Sequence, residues 1–253
     1  MKMTRKLIPA IAMLLISAVM MSTASFAWFS MNTSVSAKGM QITAKNESKY
    51  LQIVAGANTE FDSTAQTEAT AVTSSNVLRP TALVAAITDE GAGFTPYAGS
   101  TSLIWIEAFS NDPDKTDKAP TNKYLDVTSS ATATEKNFYT LYNIFQVRMN
   151  PTTGVADGGA LSVTSVTVKA NDVDGATKLL PAVRVAIIGT KAGAIYNSAG
   201  TLVSGNATIM DKVTTDASQI QVFVYFDGED AAAITNNVVA NASYSVEFTL
   251  SIA

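Results

Sequence analysis

The chain has 253 residues, 47% of them hydrophobic and only 15% charged, with a formal net charge of −4. That length suits one large all-β domain or two small ones, and the Ala, Val, Ser and Thr palette is that of an exported β-protein rather than a cytosolic helical enzyme. The absence of cysteine and histidine excludes disulfides, thiolate nucleophiles, Cys-ligated zinc, and Ser-His-Asp or Cys-His sites, and an acidic balance without aromatic–basic interleaving argues against nucleic-acid partners.

The N-terminus reads as a leader. Lys2, Arg5 and Lys6 form a basic n-region, and Leu7–Met21 is an uncharged apolar stretch of signal-peptide proportions. Small residues follow, and Ser25-Phe26-Ala27 meets the small-x-small rule for signal peptidase. The expected cut falls between Ala27 and Trp28, which makes residues 1–27 a signal peptide; Ser22-Thr23-Ala24 offers a second site. The rival reading is an uncleaved membrane helix, since Leu7–Phe29 is just long enough to span a bilayer. Contact with a membrane is expected only through the uncleaved leader. No cysteine follows the apolar stretch, as a lipoprotein would require, and no acidic residue lies within Leu7–Phe29, which weakens a type IV pilin reading.

From Ser34 onward the dominant period is two. Strands are predicted at Lys49–Gly56, Thr81–Thr88, Thr101–Phe109, Tyr142–Asn150, Leu161–Ala170, Ala182–Thr190, Ser218–Phe226 and Tyr244–Ile252. The last has one apolar face (Tyr244, Val246, Phe248, Leu250, Ile252) and one polar face. In Ser218–Phe226 both faces carry apolar residues, because Phe223 and Tyr225 lie opposite Ile220, Val222, Val224 and Phe226. Parity slips between Val163 and Val166, which predicts a bulge or a bend between sheets. A hairpin is predicted through Asn197-Ser198-Ala199-Gly200. Trp105, inside an apolar run, is assigned to the core. Short helical turns are expected within "ATEKNFYTLYNIF" and near Glu229–Asn236, and Thr59–Asn76 and Ser110–Asn122 are expected to be surface loops. About ten strands with polar turns predict a β-sandwich of jelly-roll type, with residues 39–253 as a single domain.

Three acidic groupings invite a metal reading. Asp112, Asp114 and Asp117 in "NDPDKTD" supply hard oxygen ligands at calcium-like spacing, but without the Gly and Glu of an EF-hand loop; a solvated turn is the stronger reading. Asp172 and Asp174 before Gly175 read as a β-turn. Asp227, Glu229 and Asp230 directly follow a strand and read as the acidic start of a helix. None forms a catalytic constellation. No cofactor is expected, and the chain is not expected to be an enzyme.

The junction "AWFSMNTSVSAKGMQITA" resembles the mature start of the TasA/camelysin family of Firmicutes, whose precursors carry SipW-type signal peptides. The matching positions are Ala27, Trp28, Phe29, Asn32, Gly39 and the strand Met40–Ala44; "QIQVFVYF" and "YSVEFTLSI" are also similar. The same junction is similar to many clostridial secreted proteins with this type of leader. The resemblance implies a jelly-roll fold and a secreted subunit of extracellular or cell-surface biofilm-matrix fibres. It also implies processing by a SipW-type peptidase and strand addition by the freed N-terminus to the next subunit in a head-to-tail homopolymer.

The residues themselves suit strand addition, which needs an extended segment with free backbone donors and alternating side chains. Residues 28–38 contain no proline and no charge before Lys38. The connector is therefore expected at Trp28, Phe29, Met31, Thr33, Val35, Ala37 and Gly39. The apolar parity switches at Lys38-Gly39, where Gly39 permits a bulge or hinge. For Met40–Ala44, pairing within its own sandwich and pairing between subunits are both open. The alternative function is a monomeric surface module that recognises glycan or a host protein through its loops.

Overall fold

The computed structural model describes residues 35–46, 51–57, 61, 68–78, 80–89, 93–107, 124–125, 140–151, 158–233, 237, 239 and 242–252. The leader, the expected cut at Ala27 and Trp28, and the connector residues Trp28, Phe29, Met31 and Thr33 lie outside them.

The described residues form an all-β sandwich, as the alternating pattern demands. The front sheet has the order β13 (Thr208–Met210), β9 (Leu161–Ala170), β15 (Tyr244–Ile252), β1 (Val35–Asn46) and β3 (Glu68–Leu78). The middle sheet has the order β12 (Leu202–Gly205), β11 (Gly193–Asn197), β10 (Val183–Ile188), β14 (Ser218–Phe226), β8 (Leu141–Met149) and β2 (Leu51–Ala55). The chain passes repeatedly between these two sheets (β1 front, β2 middle, β3 front, β8 middle, β9 front, β10 middle), the interleaving of a jelly-roll-type sandwich. One pair breaks the antiparallel rule of such folds: β1 runs parallel to β15.

A third sheet adds a layer beyond the expected two. The back sheet, in the order β5 (Gly93–Pro96), β4 (Thr81–Asp89), β6 (Ile104–Glu107) and β7 (Tyr124–Leu125), is inserted between β3 and β8. It lies on the far face of the middle sheet. Leu83, Tyr97, Leu103 and Trp105 pack there against Ala186, Ile188, Ile195, Phe223 and Tyr225. Trp105 is fully buried, its ring 4.8 Å from Tyr225 and 5.4 Å from Phe223. The other face of the middle sheet meets the front sheet in the main core, where Val185, Ile187, Val222 and Phe145 join Ile42, Val246 and Phe248. Full burial of one such side chain contributes about 1.5–3 kcal/mol.

Local expectations can be checked strand by strand. The bulge in β9 sits where parity slips: Thr249 pairs with Ser165 but Leu250 with Val163, so Thr164 is the extra residue. The β11–β12 hairpin turns through Asn197–Gly200. There the Asn197 side-chain oxygen accepts from the amides of Ala199 (3.1 Å) and Thr201 (2.9 Å), and Gly200 takes φ 79°. Two expectations need correction. Glu68–Leu78 is a strand, not the end of a loop; its small Ala and Ser/Thr side chains hide the alternation because they contrast weakly in hydropathy. Residues 228–232 form turns instead of opening a helix: Asp227 and Asp230 each accept from the amide two residues on, of Glu229 and Ala232, the bonding of an Asx turn. Residues 110–122 and 133–139 lie outside the described residues.

Candidate assembly edge

β1 owes its place to two inward residues, Ile42 and Ala44, both fully buried, while Gln41 and Lys45 face outward. On one side it pairs with β15 in parallel, from Gln41↔Ser245 to Asn46↔Leu250. On the other it pairs antiparallel with β3, from Val35↔Leu78 to Lys45↔Glu68. The two ladders differ in length. Among the described residues, Val35–Met40 pairs with β3 alone and extends past the start of the β15 ladder as a two-stranded ribbon. The register shifts between Ala37 and Met40, so Lys38-Gly39 is a bulge, as the parity switch predicts. A further shift lies between Val35 and Ala37.

Three expected connector residues are thereby placed. All three lie in β1: Val35 pairs with Leu78 and Ala37 with Ser75 of β3 in their own sheet, and Gly39 sits in the bulge. The described part of the sheet reaches back to Val35, four residues before the expected boundary of Gly39, where Val35 pairs with Leu78.

β3 is the outermost strand of the front sheet, and β2 the outermost of the middle sheet. They pack against each other on one flank of the sandwich. Among the described residues no strand pairs with the outer side of β3. Glu68–Leu78 is eleven residues long, contains no proline and has one charge, Glu68. It lacks the devices that usually block an edge, namely proline, lysine or extreme shortness. An edge of this kind can accept a strand through its backbone.

The acidic groupings fall elsewhere. Asp112, Asp114 and Asp117 lie outside the described residues. Asp172 and Asp174 sit in the bend and turn before a short 3-10 turn, Ala176–Lys178. Asp227 and Asp230 both grip Arg184, whose Nη2 lies 3.0 Å from one carboxylate and 2.8 Å from the other. Arg184 Nη1 donates to the carbonyls of Pro181 (2.5 Å) and Val183 (3.2 Å). Burial raises the pKa of Asp227, and the Arg184 charge pulls it back down in part. The same corner fastens the back sheet: Thr81 bridges to Asp227, and the Gly228 amide donates to the Thr81 carbonyl at 3.1 Å. These aspartates are thus a clamp between layers, not a free acidic loop. The sequence signal was Arg184, a lone charge in the apolar run "AVRVAIIGT", since a cation placed there needs a partner.

Among the described residues no group of three Asp or Glu side chains is arranged to hold a metal ion, and no helix is long and apolar enough to cross a membrane. No protein-family model matches the chain, and no curated protein matches it either.

Proposed function

We propose that the chain is a secreted structural subunit of extracellular or cell-surface filaments, joined head to tail by its N-terminal segment. The observation that carries this reading is the geometry of β1. The first strand of the folded unit enters as a ribbon at the edge of the front sheet, and the apolar, proline-free Trp28–Ser34 leads directly into it. Beside it lies β3, long and nearly uncharged, with no strand on its outer side among the described residues. A donor segment and an acceptor edge in one chain are the two halves of a heterologous, repeating contact. The bulge at Lys38-Gly39 supplies a place where the strand can change direction.

In this reading the leader directs export, a SipW-type peptidase frees Trp28, and the released aromatics Trp28 and Phe29 dock on the next subunit. The test is N-terminal sequencing of the secreted protein with negative-stain microscopy of the same sample. An N-terminus at Trp28 and unbranched filaments are expected. A monomer at high concentration would overturn the reading and favour the surface binding module instead.

A further inference from the structure

The outer face of the front sheet carries a pattern that strand addition does not use. Its outward positions are mostly short and polar. Among the described residues it also carries, across four strands, four charges that alternate in sign: Glu68 on β3, Lys45 on β1, Glu247 on β15 and Lys169 on β9. The registers place them in one diagonal stripe, with Lys45 opposite Glu68, Glu247 opposite Thr167, and Lys169 opposite Ser245. Lys45 Nζ lies 2.9 Å from Glu247 Oε2, while Glu68 and Lys169 stand exposed at the two ends. The four charges sum to zero on a chain whose net charge is −4. An open groove of about 280 Å³ lies within the stripe, lined by Gln41, Thr43, Thr167, Lys169, Ser245 and Glu247.

A stripe that reads minus, plus, minus, plus is complementary to itself when reversed. We propose that this face pairs with the same face of a second copy about a two-fold axis. Glu68 of each copy then meets Lys169 of the other, and Gln41, Thr43 and Glu247 lie near the axis. Short Ser and Thr side chains beside the stripe leave its long charged side chains as the groups that meet first. The charge order sets the register and disfavours a parallel arrangement, which would oppose like charges. Four strands over six residues, at about 4.8 by 3.4 Å per residue, give roughly 400 Å² per copy. That is about half of a standard interface, so a single pair is weak and salt-sensitive, and copies held in an array reinforce one another. The pairing stands on the face alone and does not require filaments.

The chain contains no cysteine, so one introduced thiol reports contact between copies without interference. Gln41→Cys places it near the axis; Ala199→Cys, exposed on the β11–β12 turn, reports random collision. With a short bis-maleimide at low salt, the intact Gln41→Cys protein should cross-link about tenfold faster than Ala199→Cys, and added salt should slow it. Adding Glu68→Lys or Lys169→Glu should slow it about tenfold, and adding both should restore it to within about threefold. Within one chain these two positions are three strand spacings across and four residues along the sheet, about 20 Å apart, so the rescue reads a contact between copies. Circular dichroism confirms that each variant keeps its β-sheet. A folded Gln41→Cys protein that cross-links no faster than the control would overturn the pairing. Cross-linking indifferent to the charge reversals would overturn the register that defines it.

Discussion

β15 of the front sheet and β14 of the middle sheet are each nine residues long, yet one sheet is covered on one face and the other on both. β15 in the front sheet alternates buried and exposed residues: Tyr244, Val246, Phe248 and Leu250 go inward, Ser245 and Glu247 outward. β14 in the middle sheet has no such wet face at its C-terminal half, where Val222 through Phe226 are all buried. The difference comes from the back sheet, which lies over Phe223 and Tyr225. A clean alternation therefore marks a face left for water or a partner, and a doubled apolar run marks a face that another layer already fills.

The comparison can be broken from its buried side first. Trp105→Ala should remove the keystone between back and middle sheets and cost about 3–5 kcal/mol in denaturant unfolding. Arg184→Ala should come next. It leaves Asp227 and Asp230 without their cation beside the Thr81 bridge, and a loss of roughly 2–3 kcal/mol is expected from charge-assisted hydrogen bonds of this kind. Tyr244→Phe should cost about 1 kcal/mol, because the hydroxyl donates to the Ala176 carbonyl at 3.0 Å. At the other end, Thr167→Ala on the exposed front face should stay within about 0.5 kcal/mol. A cost at Thr167 as large as that at Tyr244 would mean the front face is not free in the isolated chain.

Alkali tests the same contrast. Burial raises the pKa of Tyr142, Tyr196 and Tyr225, and that of Tyr244 to about 12. The folded state therefore holds these phenol protons more tightly than the unfolded chain does. The stability this provides is complete below the ordinary tyrosine value of 10.0 and is lost as pH climbs from there through the folded value. Unfolding midpoints should be insensitive to these groups up to about pH 10 and fall from there toward about pH 12, less steeply in Tyr244→Phe. A flat profile would show that these hydroxyls are solvated.

Much of this was legible in the sequence, for reasons particular residues make plain. β9, β14 and β15 contrast large β-branched or aromatic residues with Ser, Thr and Glu, so their limits and even the bulge at Thr164 follow from parity. Trp105 sits in an apolar run and is core. β3 was not legible, because Ala, Ser, Thr and Val alternate with little difference in hydropathy, and its strand state depends on β1 as a partner. The back sheet was half legible: β4 and β6 fall within the strands predicted at Thr81–Thr88 and Thr101–Phe109, while β5 and β7 are too short to show a period. Of the proposed assembly edge, the candidate donor is a sequence reading, an uncharged, proline-free segment, and the structure bears out only the irregularity at Lys38-Gly39. The acceptor side was not legible, since an edge is a property of strand order, which no local pattern encodes.

The start of β1 at Val35 sharpens the decisive experiment. Removing only Trp28–Ser34 from the processed protein leaves every described strand intact and deletes the proposed donor. The truncated protein should keep the far-ultraviolet signal and thermal midpoint of the parent, yet form no filaments by negative-stain microscopy where the parent forms them. Filaments of normal length from the truncated protein would contradict assembly through the N-terminal segment.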